Sequence, residues 1–451
     1  MAQGGRTSER GLGLGSATAR VVGHTIAIGI FLTPAELIGS LGSPALTLGM
    51  WLAFGALVLA GALAFGELAS RYPRAGGPYV YLREAWGEQV AFLYGWQCLL
   101  VMDPGVVAAL AAGASEYLAV AWPVTAGYAR LIAVAVVWGL ALVNMAGLRA
   151  SARALSALTA VKLVVLLGVV ALALGVGDGS WSHFAPFWTR RPGAPLLGEA
   201  LALGLVGAFF SFGGFWEASR VAGEVRDPRR TLPAALVIGV TTVLVVYLAT
   251  TIAFLYLVPP RLATSAAGFT RLAGLALFGD AGPRLLALAV IVSVLASLTA
   301  LLLMAPRLYV AMCRDGALPS WLAPAAADRD SSARATALLA SAASVYALLG
   351  TFQQIVAFFL CTALAFIGLS VAGLFVLRRR GEPDAGVFHA PGRAVLPASF
   401  VILVVTVVLV VGVARPRQAL GGLALVLLGL PAYRLFAARG ALGRLSDGAK
   451  L

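Results

Sequence analysis

Charge is what this 451-residue sequence has least of: Asp, Glu, Lys and Arg make up 12%, against about 25% in soluble domains. With 60% hydrophobic residues and a mean hydropathy of +0.93, that scarcity excludes an ordinary soluble globular protein. It also excludes disorder, which needs low hydrophobicity and high charge. Cysteine is scarce as well. Cys98, Cys313 and Cys361 lie far apart with no C-x-x-C pair, so neither a disulfide framework nor a zinc site is indicated. Acidic residues number 19 against 33 basic ones, a net charge of +14. The arginines punctuate long apolar runs instead of forming one wet basic surface, which argues against nucleic acid as a partner. Lysine occurs only at 162 and 450. The longest polar stretches, near 178–196, 313–333 and 378–393, are too short to fold alone. No H-E-x-x-H, G-x-S-x-G or G-x-x-x-x-G-K-[ST] motif occurs, which argues against a membrane-embedded hydrolase or an ATP-driven pump. No metal or cofactor site is indicated.

What the sequence has in abundance is apolar runs of membrane-spanning length, about 20 residues each. The expected spans are 14–38, 46–70, 89–118, 127–147, 155–177, 197–222, 234–258, 284–312, 334–350, 352–377, 394–413 and 418–438, twelve in all. The stretch 334–377 is too long for one crossing, and Gly350-Thr351-Phe352-Gln353-Gln354 is its polar break. The short apolar segment 264–279 suits a half-helix in a loop. Most of the basic residues, among them Arg71, Arg74, Arg83, Arg226, Arg229, Arg230, Arg378, Arg379 and Arg380, fall in loops on one side. Arg190, Arg191, Arg415 and Arg417 fall on the other. The positive-inside rule then places both termini in the cytoplasm. The N-terminal run is too long for a cleavable signal and no small-residue cleavage site follows it.

Two spans are irregular. The first contains Gly23-His24-Thr25-Ile26-Ala27-Ile28-Gly29 and then Pro34; the sixth contains Gly204, Gly207 and Phe212-Gly213-Gly214. Glycine lowers helix stability and permits non-helical dihedrals. Irregular backbone at membrane depth is tolerated where it is buried in protein or lines a cavity. Spans one and six each begin a unit of five spans, and because five is odd the second unit is inverted. Paired breaks in inverted halves point to a transporter binding site, where freed amides attract an anion. Close packing of small residues is the competing explanation for a lone glycine pair; matched breaks favour the site.

Three further stretches carry a family resemblance. They are Gly66-Glu67-Leu68 with Tyr72-Pro73-Arg74-Ala75-Gly76-Gly77-Pro78-Tyr79; Val221-Ala222-Gly223-Glu224-Val225-Arg226-Asp227-Pro228 with Leu232-Pro233; and Ala305-Pro306-Arg307-Leu308-Tyr309 with Met312-Cys313-Arg314-Asp315-Gly316. On these the chain resembles the amino acid–polyamine–organocation (APC) superfamily, particularly bacterial amino-acid permeases and the light chains of heteromeric amino-acid transporters. The resemblance implies an all-α polytopic membrane protein of the leucine-transporter type. Residues 14–177 would form the first five-helix repeat, 197–377 the second, and 394–438 two further helices. Helices one and six would unwind midway, with cytoplasmic segments at 1–13 and 439–451. It implies that span-one amides (Thr25, Ile26, Ala27, Ile28, Gly29) hold an amino acid's carboxylate and span-six carbonyls its amine. The family usually reads Gly-Ser-Gly-Ile-Phe where this chain reads Ala27-Ile28-Gly29-Ile30-Phe31. That adds bulk and removes a hydroxyl while the amides survive.

Within the spans, Lys162 either snorkels to the interface or serves a function. The resemblance implies function: its amine stands where sodium-coupled relatives bind an ion, which makes transport sodium-independent. Glu67, Glu217 and Glu224, with Arg20, Arg220 and Arg307, read as an inner-gate ion-pair network, with Glu217 alternatively facing the cavity. Asp103 either reaches the outer surface or faces the cavity. His24 reads as a packing residue, with a pH-sensing role as the alternative.

At the second break, Phe210, Phe212 and Phe215 flank Gly213 and Gly214, and these five residues are the candidate site there. Aromatics in apolar spans usually pack, but Phe210 matches the family's aromatic gate over the bound substrate, which implies that it closes the outer side of the pocket. Ser297 and Thr299 in span eight are further candidates to line the cavity. No carboxylate occupies Gly213-Gly214, which suits a small neutral substrate.

The expected function is a sodium-independent secondary transporter of a neutral amino acid or related small amine, working by alternating access as a proton symporter or an exchanger. A membrane sensor that binds an amino acid without moving it is the alternative. The family's eukaryotic exchangers carry a cysteine in the loop between spans three and four. The loop here, near 119–129, has none, so no disulfide-linked heavy chain is expected. The expected partners are the small-molecule substrate and the lipid bilayer, and the expected location is a plasma membrane of bacterial inner-membrane type.

Overall fold

The computed structural model describes residues 11–146, 152–262, 266–323, 332–381 and 386–438. Most of the expected N-terminal segment and the tail 439–451 lie outside these residues. The described chain is almost wholly helical, with one isolated bridge, Leu12 to Val225, outside the helices. Nine helical stretches among the described residues are long and apolar enough to cross a membrane. They become ten when the bent pair Leu14–Thr25 (α1) and Gly29–Leu41 (α2) counts as one, and Thr159–Gly175 and Ala333–Leu349 are apolar but shorter. The chain is a multi-pass membrane protein, built from helices because a helix satisfies its backbone polar groups internally where water is missing.

Local chemistry sets the helix ends. Gly42, at φ +66°, closes α2 in the left-handed conformation that glycine adopts without strain. Helix α3 (Pro44–Arg71) then starts at once, with Ser43 accepting from the Leu46 amide and Pro44 in the first turn. After α4 (Pro78–Trp86), helix α5 (Glu88–Gln97) runs through a wider π-helical turn, Cys98–Met102, into α6 (Asp103–Ala121). Pro104 has no N–H to offer the Leu100 carbonyl one turn back. The Tyr346 hydroxyl donates to that carbonyl instead. The apolar run at 334–377 breaks where its polar residues predict: α13 (Ala333–Leu349) stops before Gly350, and Thr351 with Gln354 forms a capping box for α14 (Phe352–Arg379).

The remaining helices are α7 (Ala129–Met145), α8 (Ala152–Gly175), α9 (Leu197–Phe212), α10 (Pro228–Leu257), α11 (Ala266–Phe278), α12 (Gly282–Arg314), α15 (Val395–Ala414), α16 (Pro416–Leu427) and α17 (Gly429–Ala438). Helix α11 falls within the segment expected as a short half-helix, and packs on α12 with Gly274 against Gly282. An aromatic seam ties α3, α9, α10 and α15 together: Trp51 meets Phe212 and Tyr247, and Phe54 and Phe400 both meet Phe209.

One end of the bundle, the Arg71 face, is held by polar clamps. Glu67 is fully buried and accepts from Arg71 Nη2 at 2.9 Å, Arg378 Nε at 3.0 Å and the Ala390 amide at 2.8 Å. It thereby joins α3, α14 and the segment leading to α15. At the same face Leu12 pairs with the chain after the second break: its amide donates to Glu224 O at 3.2 Å, and its carbonyl accepts from the Arg226 amide at 2.9 Å. At the opposite end, the Arg191 face, the segment before α9 wraps the end of α2. There Arg190 donates to Leu41 O at 2.9 Å and Arg191 to Gly39 O at 2.8 Å.

Candidate functional site

Both breaks suggested by the glycines are present. Helix α1 ends at Thr25, Ile26 is extended, and α2 starts at Gly29 with its axis turned by 50°. Helix α9 ends at Phe212, Gly214 sits at φ +96°, and tight 3₁₀ turns run from Phe215 to Glu224. A side chain at Gly214 would be strained, and it would also crowd the His24 carbonyl, 3.2 Å from a built Cβ. The breaks are stitched to each other. Thr33 and Ser211 share a hydroxyl hydrogen bond of 2.6 Å. The Tyr247 hydroxyl lies 3.1 Å from Thr25 O and 2.6 Å from Ser211 O, one carbonyl from each broken helix.

Between them lies a cavity of about 90 Å³. Its wall includes Thr25, Ala27 and Gly29 from the first break, and Phe210, Gly213 and Gly214 from the second. Asp103, Glu217 and Ser297 supply polar atoms, while Phe359, Leu360, Ala363 and Leu364 of α14 close one side. The first turn of α2 has N–H groups without intrahelical partners, and the last turn of α9 has carbonyls left over from its helical ladder, of which Ser211 O is taken by Tyr247 and Phe210 O by the Gly213 amide. The cavity therefore meets partial positive charge from one helix end and partial negative charge from another. That arrangement suits a small zwitterion.

Phe210 also lines a second cavity of about 580 Å³, walled by Thr33, Glu36, Arg191 and Arg415 toward the Arg191 face. Its ring meets Phe352 edge-on at 5.4 Å. Phe210 therefore stands in the partition between the two cavities.

The other sequence candidates fall into distinct places. Ile26 and Ile28 are fully buried and contribute backbone at the first break, not side-chain lining; a Cβ at Gly113 would collide with the Ile28 side chain. Phe212 packs on Trp51, Phe54 and Tyr247, and Phe215 on Phe65 and Phe400. Both rings point into the aromatic seam and away from the cavity. Thr299 bonds its own helix at Leu295 O and is not part of the wall. The Gly29 position has no spare room, because a Cβ there would lie 2.8 Å from the Ser211 Cα.

Lys162 does not snorkel. It is 4% exposed, and its ammonium donates to Ile26 O at 2.6 Å, Gly23 O at 3.2 Å and Ser297 Oγ at 2.7 Å. It thus caps the carbonyl end of α1 behind the cavity. His24 lines the cavity and bonds Arg20 O through Nδ1 at 3.0 Å.

The three glutamates expected at the inner gate, with the cavity as the alternative for Glu217, fall into three separate clusters. Glu67 belongs to the clamp with Arg71 and Arg378. Glu224 pairs with Arg307 and lies 4.0 Å from Arg20. Glu217 lies in the cavity wall with its Oε2 2.9 Å from Arg220 Nε. Asp103 does not reach the surface. It is fully buried, lines the cavity, accepts from the Tyr309 hydroxyl at 2.7 Å, and lies 3.7 Å from Arg220 Nη1. The cavity wall therefore includes carboxylates, from the two residues for which a cavity-facing position stood as an alternative; the Gly213-Gly214 pair alone gave no sign of them. The available signal was an aspartate preceding a proline inside an apolar span.

A family profile described as amino acid permease matches residues 12–425. The Asc-type amino acid transporter 1 of Mus musculus is 28% identical over 438 residues, covering 94% of this chain and 80% of that protein. The serine/threonine exchanger SteT of Bacillus subtilis is 27% identical over 309 residues, 68% of this chain and 69% of its own. An uncharacterized transporter of Mycobacterium bovis is 35% identical over 315 residues, 70% of this chain and 68% of its own. The chain belongs to the amino acid permease family, a family of transporters and not of enzymes.

Proposed function

We propose that this amino acid permease is a sodium-independent secondary transporter of a small neutral amino acid, working by alternating access. The observation that carries the reading is the cavity enclosed by both helix breaks with Phe210 in its partition. One water needs about 10–15 Å³ of such space, so the cavity suits a ligand of roughly six to nine heavy atoms. In this reading the amides near Ala27, Ile28 and Gly29 hold the carboxylate. Carbonyls at the end of α9, beside Gly213 and Gly214, hold the amine, with Thr25 and Ser297 lining the side. Phe210 closes the cavity toward the Arg191 face. The Lys162 ammonium serves as the fixed cation that makes sodium unnecessary. Glu67 and Glu224 hold the Arg71 face closed.

In the same reading, the ten long spans and the two shorter apolar helices make twelve crossings. They are arranged as inverted five-helix repeats at 14–177 and 197–377 with two further helices at 394–438. The Arg71 face is cytoplasmic, both termini lie there, and the membrane is the cell membrane. No disulfide-linked heavy chain is required. The relatives' names, two amino acid transporters among them, support the substrate class.

The test is a thermal-shift screen of detergent-purified protein against amino acids and biogenic amines, since a native-state ligand raises stability by mass action. A small neutral amino acid should shift the melt, and Phe210→Ala should abolish the shift. Counterflow of that compound in liposomes should follow. Saturable binding without counterflow would replace the transporter by a membrane sensor. Shifts only from amines lacking a carboxylate would overturn the role given to the first break.

A further inference from the structure

The cavity wall carries more charge than a neutral ligand needs. Asp103 and Glu217 both line it, and Arg220 lies between them, with Nε 2.9 Å from Glu217 Oε2 and Nη1 3.7 Å from Asp103 Oδ2. Ionised, the trio holds one negative charge in excess. Exposure is 0% for Asp103 and 7% for each of the other two. Its hydrogen bonding is also incomplete. The Tyr309 hydroxyl donates to Asp103 Oδ2, and Arg220 Nη2 donates to Tyr94 Oη and Cys98 Sγ. Asp103 Oδ1 has no partner, and Glu217 Oε2 and Arg220 Nε, though close, are not aligned as a hydrogen bond. A buried carboxylate with an unsatisfied oxygen and surplus negative charge calls for one more positive group.

The surroundings narrow what that group is. Arg220 fills the space between the carboxylates, and no set of three or more acidic, His or Cys side chains suited to a metal occurs among the described residues. The titratable groups beside the trio are Tyr94 and Cys98 from α5 and the π turn and Tyr309 from α12, with His24 of α1 on the same cavity wall; Arg20 and Lys162 act on His24 and not on the trio. The α14 wall is apolar. Lys162 is already committed to Gly23 O, Ile26 O and Ser297. We infer that Asp103 and Glu217, bridged by Arg220, form a proton-binding site that couples transport to a proton gradient. A hydronium ion gives up one proton, leaving as water, and the new O–H bond on the pair makes the cluster neutral around a neutral substrate. The proton returns to water when the cavity opens on the other side. The placement links proton to motion: Asp103 sits on α6, while Glu217 and Arg220 sit on the segment after the second break. Protonating Asp103 removes its attraction for Arg220 and so biases where that segment rests. The inference rests on the transport reading above and specifies its coupling mode.

The probes are L-alanine and L-serine on the purified full-length protein. Binding is titrated across pH in buffers of different ionisation enthalpy, which counts protons taken up. The wild type should take up about one proton per ligand at the alkaline end, with affinity rising about tenfold per pH unit toward acid until the site is filled. Glu217→Gln and Asp103→Asn should flatten that profile, whatever their absolute affinity. Binding with no proton uptake and no pH dependence overturns the inference and leaves the transport reading standing. So does a variant profile parallel to the wild type, or tight binding of L-2,4-diaminobutyrate, which would make the carboxylates readers of substrate charge. Failure of both probes, and of every other amino acid in the screen, removes the transport reading and this inference with it. If Asp103→Asn does not fold, Glu217→Gln and the wild-type proton count still decide.

Discussion

Replacing Lys162 by methionine keeps the stem and removes the ammonium. Three hydrogen bonds go with it, to Ile26 O, Gly23 O and Ser297 Oγ, at 2.6, 3.2 and 2.7 Å. Hydrogen bonds from a charged donor contribute about 1.5–3 kcal/mol each. Against that loss stands the relief of no longer burying an ammonium, an effective penalty of several kcal/mol. Ser297 keeps its contacts with Ser293 O and Ile26 O, so Gly23 O is the group left poorest. The balance is a loss of about 2–4 kcal/mol, or a fall of about 2–4 °C in melting temperature for a chain of this length. The assay is a detergent melt of Lys162→Met beside the wild type, in sodium and in choline chloride. Sodium should leave the wild type unmoved. In Lys162→Ala, where the stem is gone as well, the three oxygens face open space and sodium should recover part of the loss. A Lys162→Met melt equal to the wild type would refute the account of the lysine as the cap of α1. A sodium requirement for ligand binding by the wild type would refute its role as a fixed cation.

Gly29→Ala should lower the melt and abolish ligand-induced shifts, because the new methyl would lie 2.7 Å from Ser211 Oγ and 2.8 Å from Ser211 Cα and force the two breaks apart; an unchanged ligand shift would contradict this. Glu67→Gln should destabilise by roughly 2–4 kcal/mol, reduced from the usual cost of breaking a buried pair because Arg378 is 21% exposed. Faster proteolysis at residues 386–394 would mark the released clamp. Tyr247→Phe removes the hydroxyl shared by Thr25 O and Ser211 O and should cost about 1 kcal/mol. Liposome uptake should fall by more than that small loss of stability explains, since the bond joins the two breaks that the proposed alternating-access cycle would move.

Most of the long apolar helices and both breaks were readable from the sequence because each is a local matter: apolar length, a glycine pair, a polar interruption at 350–354; the short helix α4 and the division of 418–438 into α16 and α17 were not. Nor were the breaks' neighbours. Phe212 and Phe215 each sit next to a glycine of the break, yet both turn into a seam built by Trp51, Phe65 and Phe400, which local spacing does not reveal. The glutamates looked alike because all three sit near helix ends. Their partners separate them: Glu67 finds Arg378, 311 residues away, while Glu217 finds an arginine one turn on. Asp103 is equally suited by local sequence to surface or cavity; its partner Tyr309, 206 residues away, is what holds it inside. Periodicity reports which face of a helix is apolar. It says nothing about which polar residues of different helices meet.

The bridge between Leu12 and Val225 makes the start of the chain a handle on the second break. Its two backbone hydrogen bonds fasten the chain ahead of α1 directly to the residues that follow Glu224. A load applied at the N-terminus, such as a bulky fusion partner or a surface tether, therefore pulls on both broken helices together. A fusion ahead of Leu12 should slow uptake into liposomes more than one placed after α17, which does not touch this bridge.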